Sequence, residues 1–390
     1  MPQSNEEPTS GPAVTRRTVL LTLGWGLTAL ACGGGAGSAS PAPPPPAGSA
    51  PRLALSGSQF RLPDGTPVIL RGMNEGTWGE MQAKDAATLK DNGANVVRLL
   101  IRWWGLYGGT DVESRSDLKP GHFDPAHVTR LLDEIRWCTD QGLWVVVAID
   151  SNCGQNGLQS PEMAAYCDPS GTYPGGRNFW TDLSQRQLFK EAWIYLAGLL
   201  KGLPNIACYE LLPEPLEGRD SSYGAEVSAF YQELMAAIEE GAGDTCTPFL
   251  VGPRDAYNIK LCDEAYIPDP RWKDRVVYTG NLFIHPKATQ ADTLADLDTR
   301  LGALAAMQAD RDVPVFVQQF GVRTGDDPDG FYLDAGLSRL DAAGIGYTGW
   351  QWRQNTASPD EYAVVLTDPQ TGQDTVKQSV LDLYSKYWRA

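Results

Sequence analysis

Eight short apolar runs, most of them followed by a stretch of helical periodicity, constrain this 390-residue chain more than any other feature. They occupy residues 68–71, 95–101, 143–149, 206–211, 248–251, 276–279, 314–318 and 346–350. Most are apolar at consecutive rather than alternate positions, the pattern of strands covered on both faces, which calls for a parallel sheet flanked by helices. Amphipathic segments at 84–92, 126–141, 184–201, 224–240, 291–309 and 330–342 supply those helices, and 375–388 reads as a closing one. Eight such units predict an α/β protein built as a single (β/α)8 TIM barrel, with its functional groups at strand C-termini and in the loops beyond them. Residues 105–123 and 151–180 are long enough to be such loops. No G-x-G-x-x-G follows a strand, so a dinucleotide-binding sheet is unsupported.

Charge narrows the partners. The formal net charge is −16, and the first 52 residues hold two Glu and three Arg, so the remaining 338 carry −17. A surface this acidic repels phosphate backbones and argues against nucleic acid. With three His (His122, His127, His285) and no CxxC, neither a metal nor a cofactor is expected. The Asp326, Asp327 and Asp329 cluster fits an exposed loop better than a calcium site.

The first 52 residues read as an address and a tether. Arg16-Arg17 precede a 13-residue apolar run, 19–31, too short for a stable membrane span, and together they look like a twin-arginine export signal. Ala29-Leu30-Ala31-Cys32 resembles a bacterial lipobox, with Ala29 where Leu is usual, which makes Cys32 the expected lipidation site. Residues 33–52, rich in Gly, Ser and Pro, cannot bury a core and form a spacer. The expected organisation is a signal (1–32), a tether (33–52) and a barrel (53–390). The expected location is outside the cytoplasm, as a membrane-anchored bacterial lipoprotein or otherwise as a secreted monomer. Export favours disulfides, and Cys153–Cys167 and Cys246–Cys262 are the expected local pairs, while Cys138 and Cys208 fit buried thiols.

Five segments carry a family resemblance. Residues 60–74, ending Leu70-Arg71-Gly72-Met73-Asn74, resemble the first strand of glycoside hydrolase family 5, the large cellulase family; Gly93-Ala94-Asn95-Val96-Val97-Arg98 resembles the second. Residues 205–215, ending Pro213-Glu214-Pro215, resemble the fourth, which normally ends in Asn-Glu-Pro. Gln318-Gln319-Phe320-Gly321 stands where the seventh ends in Gly-Glu-Phe-Gly, and Gly349-Trp350 resembles the eighth. The resemblance implies a β-linked glycan as partner. It makes Glu214 the acid/base and Arg98 the active-site arginine, and places Asn281 and Trp350 at family site positions; with Asn74 at the end of the first strand, Trp78 just after it, and Trp352 on the same face as Trp350 by period-2 spacing, these are the expected substrate-binding residues.

The departures are as informative. Retaining members use two glutamates about 5–5.5 Å apart. Gln319 stands at the nucleophile position, and a neutral amide is a poor nucleophile that offsets no oxocarbenium charge. Pro213 replaces a hydrogen-bonding Asn, Asn281 takes the place of a sixth-strand His, and Asp150 that of a third-strand His. Three functions fit. One is a glycosidase working through a relocated Asp150–Glu214 pair, with ordinary retaining hydrolysis weak or lost. Another is a surface lipoprotein that binds glycan without cutting it. The third is a scaffold for a protein partner.

Overall fold

The computed structural model describes residues 50–76, 81–102, 106–107, 121–150, 183–215, 224–253, 258–355 and 362–390. Cys32, Trp78, Cys153 and Cys167 lie outside them. The barrel consists of β4 (Arg71–Gly76), β5 (Val96–Arg102), β6 (Trp144–Asp150), β7 (Ile206–Glu210), β8 (Phe249–Val251), β9 (Val276–Ile284), β10 (Val315–Val322) and β11 (Gly346–Gly349). These eight strands close into one barrel in the order β10-β11-β4-β5-β6-β7-β8-β9, every pair parallel. Helices α1 (Ala83–Asp91), α2 (Pro125–Asp140), α3 (Leu183–Leu200), α4 (Gly224–Ala237), α5 (Gln290–Arg311), α6 (Phe331–Ala342) and α7 (Gln378–Trp388) follow in chain order.

The opening strand corrects the expectation. Residues 67–68 belong to a small antiparallel sheet, β1 (Ala54–Ser56), β2 (Gln59–Arg61) and β3 (Pro67–Val68), and the barrel strand begins only at Arg71. The cause is the turn at Asp64-Gly65, where the Asp64 carboxylate accepts from the Thr66 backbone N–H at 2.9 Å and reverses the chain. A second small sheet, β12 (Arg353–Asn355), β13 (Val365–Thr367) and β14 (Asp374–Val376), lies between the last barrel strand and α7.

Helix starts follow local chemistry. Asp124 caps α2 by accepting from the Ala126 N–H at 3.0 Å, with Pro125 in the first turn; Thr289 caps α5 through the Asp292 N–H at 3.1 Å. Leu297, Leu301 and Leu304 recur at helical spacing on the buried face of α5. Two apolar layers result. Val97, Leu99 and Ile101 face outward toward the helices, while Val96, Val146, Val277 and Phe316 fill the barrel interior, closed below by Leu53 and Phe60.

Cys246 and Cys262 are free thiols, which overturns the disulfide expected between them. Cys262 is buried beside α5, its sulfur 3.9 Å from the Ala303 carbonyl, and Cys246 lies at the surface next to Thr245. Cys138 and Cys208 are buried and free. Among the described residues no helix is long and apolar enough to cross a membrane.

Candidate active site

The barrel interior changes character along its axis. Two residues beyond the apolar layer, inward positions become polar: Val96 gives way to Arg98, Cys208 to Glu210, Phe316 to Gln318, and Val277 to Thr279 and then Asn281. Period-2 alternation delivers this change on each strand, and all of these polar groups lie toward the C-terminal end, where barrel chemistry occurs.

They form one connected chain. Arg98 donates from Nε and Nη2 to the two oxygens of Glu210, and from Nη1 to Asn74 Oδ1 at 2.6 Å. Asn74 Nδ2 donates to the Gln318 carbonyl at 2.8 Å, which also accepts from Thr348 Oγ1. The Gln318 amide donates to Asn281 Oδ1 at 3.0 Å, and Asn281 Nδ2 donates to Glu214 Oε1 at 2.7 Å. Arg98 and Asn74 are fully buried, and Glu210 and Asn281 nearly so. A buried guanidinium needs such a bidentate carboxylate, because leaving either charge unpaired costs several kcal/mol, about 3–5.

Glu214 sits just beyond β7 with φ +48°, in the left-handed region that a non-glycine residue occupies only under constraint, typically at about 1–3 kcal/mol. Such strain gathers where a side chain must be aimed, and Asn281 receives it. Gln319 lies on β10 in register with Asn281 and is 5% exposed. A bulge between Val317 and Gln319 breaks the β9–β10 register, and Gln318 occupies it. Among the described residues, nothing hydrogen-bonds the Gln319 side-chain amide.

The expected site residues therefore divide. Glu214, Asn281, Arg98 and Asn74 are joined in one network, and Gln319 is beside it. Arg98 and Asn74, being buried, position the site rather than touch a ligand. Trp350 is half-buried at the mouth, its backbone N–H donating to the Phe320 carbonyl at 2.7 Å. Trp352 is 2% exposed and packs in the outer core, which removes it from the binding residues. The cause is local: the Trp352 carbonyl accepts from the Val365 N–H just before β12 begins at Arg353, and the residue shares the outer core with Val364 and Val365 of the second small sheet's segment. Asp150 terminates β6 opposite Arg102. Sequence reasoning missed Glu210 and Gln318. Glu210 had a signal, a lone acid in an apolar strand matching a lone arginine in another.

His285, beyond β9, is held below its ordinary value by burial and by Arg300 and Arg323, which favours the neutral ring. Asp327 accepts from the Tyr332 and Leu333 backbone N–H groups at the start of α6, so its carboxylate is structural. Among the described residues no cluster of His, Cys, Asp or Glu could hold a metal.

A closed parallel barrel carrying a carboxylate and amides at its C-terminal mouth defines the class, a (β/α)8 barrel with a polar site at its strand C-termini. The chain matches the model of the cellulase family, glycosyl hydrolase family 5, over residues 62–356, and belongs to that family. Three solved structures illustrate the shared fold. Endogalactoceramidase gives a TM-score of 0.66 at 19% identity, covering 86% of this chain and 84% of its own. A broad-specificity endoglucanase from Clostridum cellulovorans gives 0.64 at 15% identity over 83% and 94%. A β-mannanase from Streptomyces thermolilacinus, solved with mannohexaose, gives 0.57 at 18% identity over 85% and 94%. None of the curated proteins compared matches the sequence.

Proposed function

We propose that this chain is an exported member of family 5 that holds a β-linked oligo- or polysaccharide at the barrel mouth, with ordinary retaining hydrolysis weak or lost. The observation that carries the reading is Gln319, a neutral amide at the nucleophile position, beside a Glu214 carboxylate that Asn281 still orients. An amide in that place forms no glycosyl-enzyme ester, and loss of a nucleophile alone costs on the order of 10⁶ in rate in a hydrolase whose residues act as a unit. Charge supports the same conclusion. Arg98 is already neutralised by Glu210, so no unpaired cation on Arg98 calls for a carboxylate at 319. The endoglucanase and the β-mannanase that share the fold make β-linked glucans and mannans the first ligands to try. The Cys32 lipobox and the 33–52 spacer fit a surface tether.

The test combines calorimetric titration of β-glucans, mannans and xylans with counting of released reducing ends. Binding without release, and cleavage switched on by Gln319→Glu, is the expected result. Cleavage by the natural chain that Glu214→Gln abolishes would overturn the reading, and Asp150→Asn would then locate the second carboxylate.

A further inference from the structure

The bulge in β10 puts two consecutive glutamines on the inner face of the barrel. β10 runs Val317-Gln318-Gln319 where β9 runs Gly280-Asn281, so Gln318 is the extra residue. Val317 and Phe320 both belong to the outer layer although they are three positions apart, which simple alternation forbids. The extra residue resets the alternation and brings Gln319 to the inner face, in register with Asn281. Gln318 faces inward as well, reaching Asn281, and is 2% exposed. Its backbone is tied down from three strands. The N–H donates to Thr279 Oγ1 at 3.2 Å, and the carbonyl accepts from Asn74 Nδ2 at 2.8 Å and from Thr348 Oγ1 at 2.5 Å.

The Gln318 side chain, by contrast, is only half satisfied. Its Nε2 donates to Asn281 Oδ1 at 3.0 Å, while its buried Oε1 has no hydrogen-bond partner among the described residues. A stranded acceptor costs stability that a leucine of similar size would not lose, so packing alone does not account for a glutamine here. The direction of the bonds does. A carboxylate offers acceptors only, so Asn281 must turn Nδ2 toward Glu214, as it does at 2.7 Å. The Asn281 oxygen is then left facing Gln318 in a residue that is 1% exposed, and only a donor at 318 satisfies it. Without that donor, a half-turn of the Asn281 amide would set a carbonyl against the carboxylate, and Glu214 would lose the bond that aims it. Glu214 is thus directed from two ends, by a backbone held at φ +48° and by this pair of amides.

We propose that Gln318 is a positioning residue: it touches no ligand, and through Asn281 it holds the Glu214 carboxylate in the direction in which a glycan at the mouth meets it. The inference rests on the mouth being a glycan site. The two neighbouring glutamines thereby serve different carboxylate positions, since Gln319 replaces one and Gln318 orients the other.

The test uses the full chain and two readouts, one of which needs no glycan. Nitrogen–proton NMR follows the Asn281 side-chain amide, assigned by its absence in Asn281→Leu, and Glu214→Gln shows how far those signals move when the carboxylate is lost. Calorimetry measures affinity for soluble β-linked gluco- and manno-hexaose. Gln318→Leu removes the donor, Gln318→Met does so with an unbranched chain, and unfolding midpoints verify that each variant is folded. In both, the Asn281 signals should move about as far as in Glu214→Gln, and hexaose affinity should fall about tenfold. Asn281→Leu should lose at least as much, and adding Gln318→Leu to it should cost nothing more, because the effect passes through Asn281. Unmoved Asn281 signals, unchanged affinity, or losses that add in the double variant would each overturn the inference and leave the glycan reading intact. Signals that move as expected in a chain that binds neither hexaose would keep Gln318 as the positioning residue of Glu214 and overturn the glycan reading. Unmoved signals together with no binding would overturn both.

Discussion

Asn74 and Glu75 are consecutive residues of β4, equally buried, and they live in opposite electrostatic worlds. Asn74 faces into the barrel, where eight strands converge, and its amide bonds Arg98 on β5 and backbone carbonyls on β10 and β11. Glu75 faces the helical layer and is 1% exposed, with neither carboxylate oxygen hydrogen-bonded. Burial and then the Asp85 carboxylate push the Glu75 carboxyl well above its ordinary value; Arg353 opposes this and Glu134 adds to it. Arg353 is committed elsewhere, to Asp85 and Asp374. One face of the strand thus carries buried charge by pairing it, and the other by keeping it protonated.

The largest effect should come from breaking the paired side. Arg98→Met leaves Glu210 charged, buried and alone, and should lower unfolding free energy in denaturant titration by about 3–5 kcal/mol. Replacing both partners, Arg98→Met with Glu210→Leu, should recover most of that loss; if the double variant is as unstable as the single, the chain of bonds beyond the pair matters more than the charge. The unpaired side should show itself through pH. Glu75 binds its proton more tightly folded than unfolded, so its contribution is full below about 4.5 and is lost as pH rises through its raised folded value. Stability of the natural chain relative to Glu75→Gln should fall over that window by up to about 1.4 kcal/mol per pH unit. Equal pH dependence in both would mean that Glu75 is ionised in the fold. The smallest effect belongs to the margin of the outer cluster. Lys84, 58% exposed, bonds Asp374 at 2.8 Å, and Lys84→Ala should cost at most about 1 kcal/mol, less in high salt.

These two faces also mark how far the sequence could be read. The strands were visible because parallel strands covered on both sides are apolar throughout, and every predicted run overlaps its strand. The first was displaced, since the apolar residues 68–70 precede a barrel strand whose own text, Arg71-Gly72-Met73-Asn74-Glu75-Gly76, is largely polar. Glu214 and Gln319 were visible through motif and position. The partner that Arg98 would choose was not, because pairing depends on which strands adjoin across a closed interior. Glu75 could not be distinguished from a solvated acid, because nothing local records that α1 and α2 cover it. The Cys246–Cys262 expectation failed for a related reason: nearness in sequence says nothing about a sulfur turned into the helical layer.

Gln319 stands apart from the bonded network of Asn74, Arg98, Glu210, Gln318, Asn281 and Glu214, and supports none of its links. A glutamine codon becomes a glutamate codon by one change at its first base. On the proposed reading, the step between holding a glycan and cutting it is therefore among the shortest an evolving gene can take. None of the bonds among those six residues has to be rebuilt for that step, and what it leaves unchanged are the other departures, at Pro213, Asn281 and Asp150.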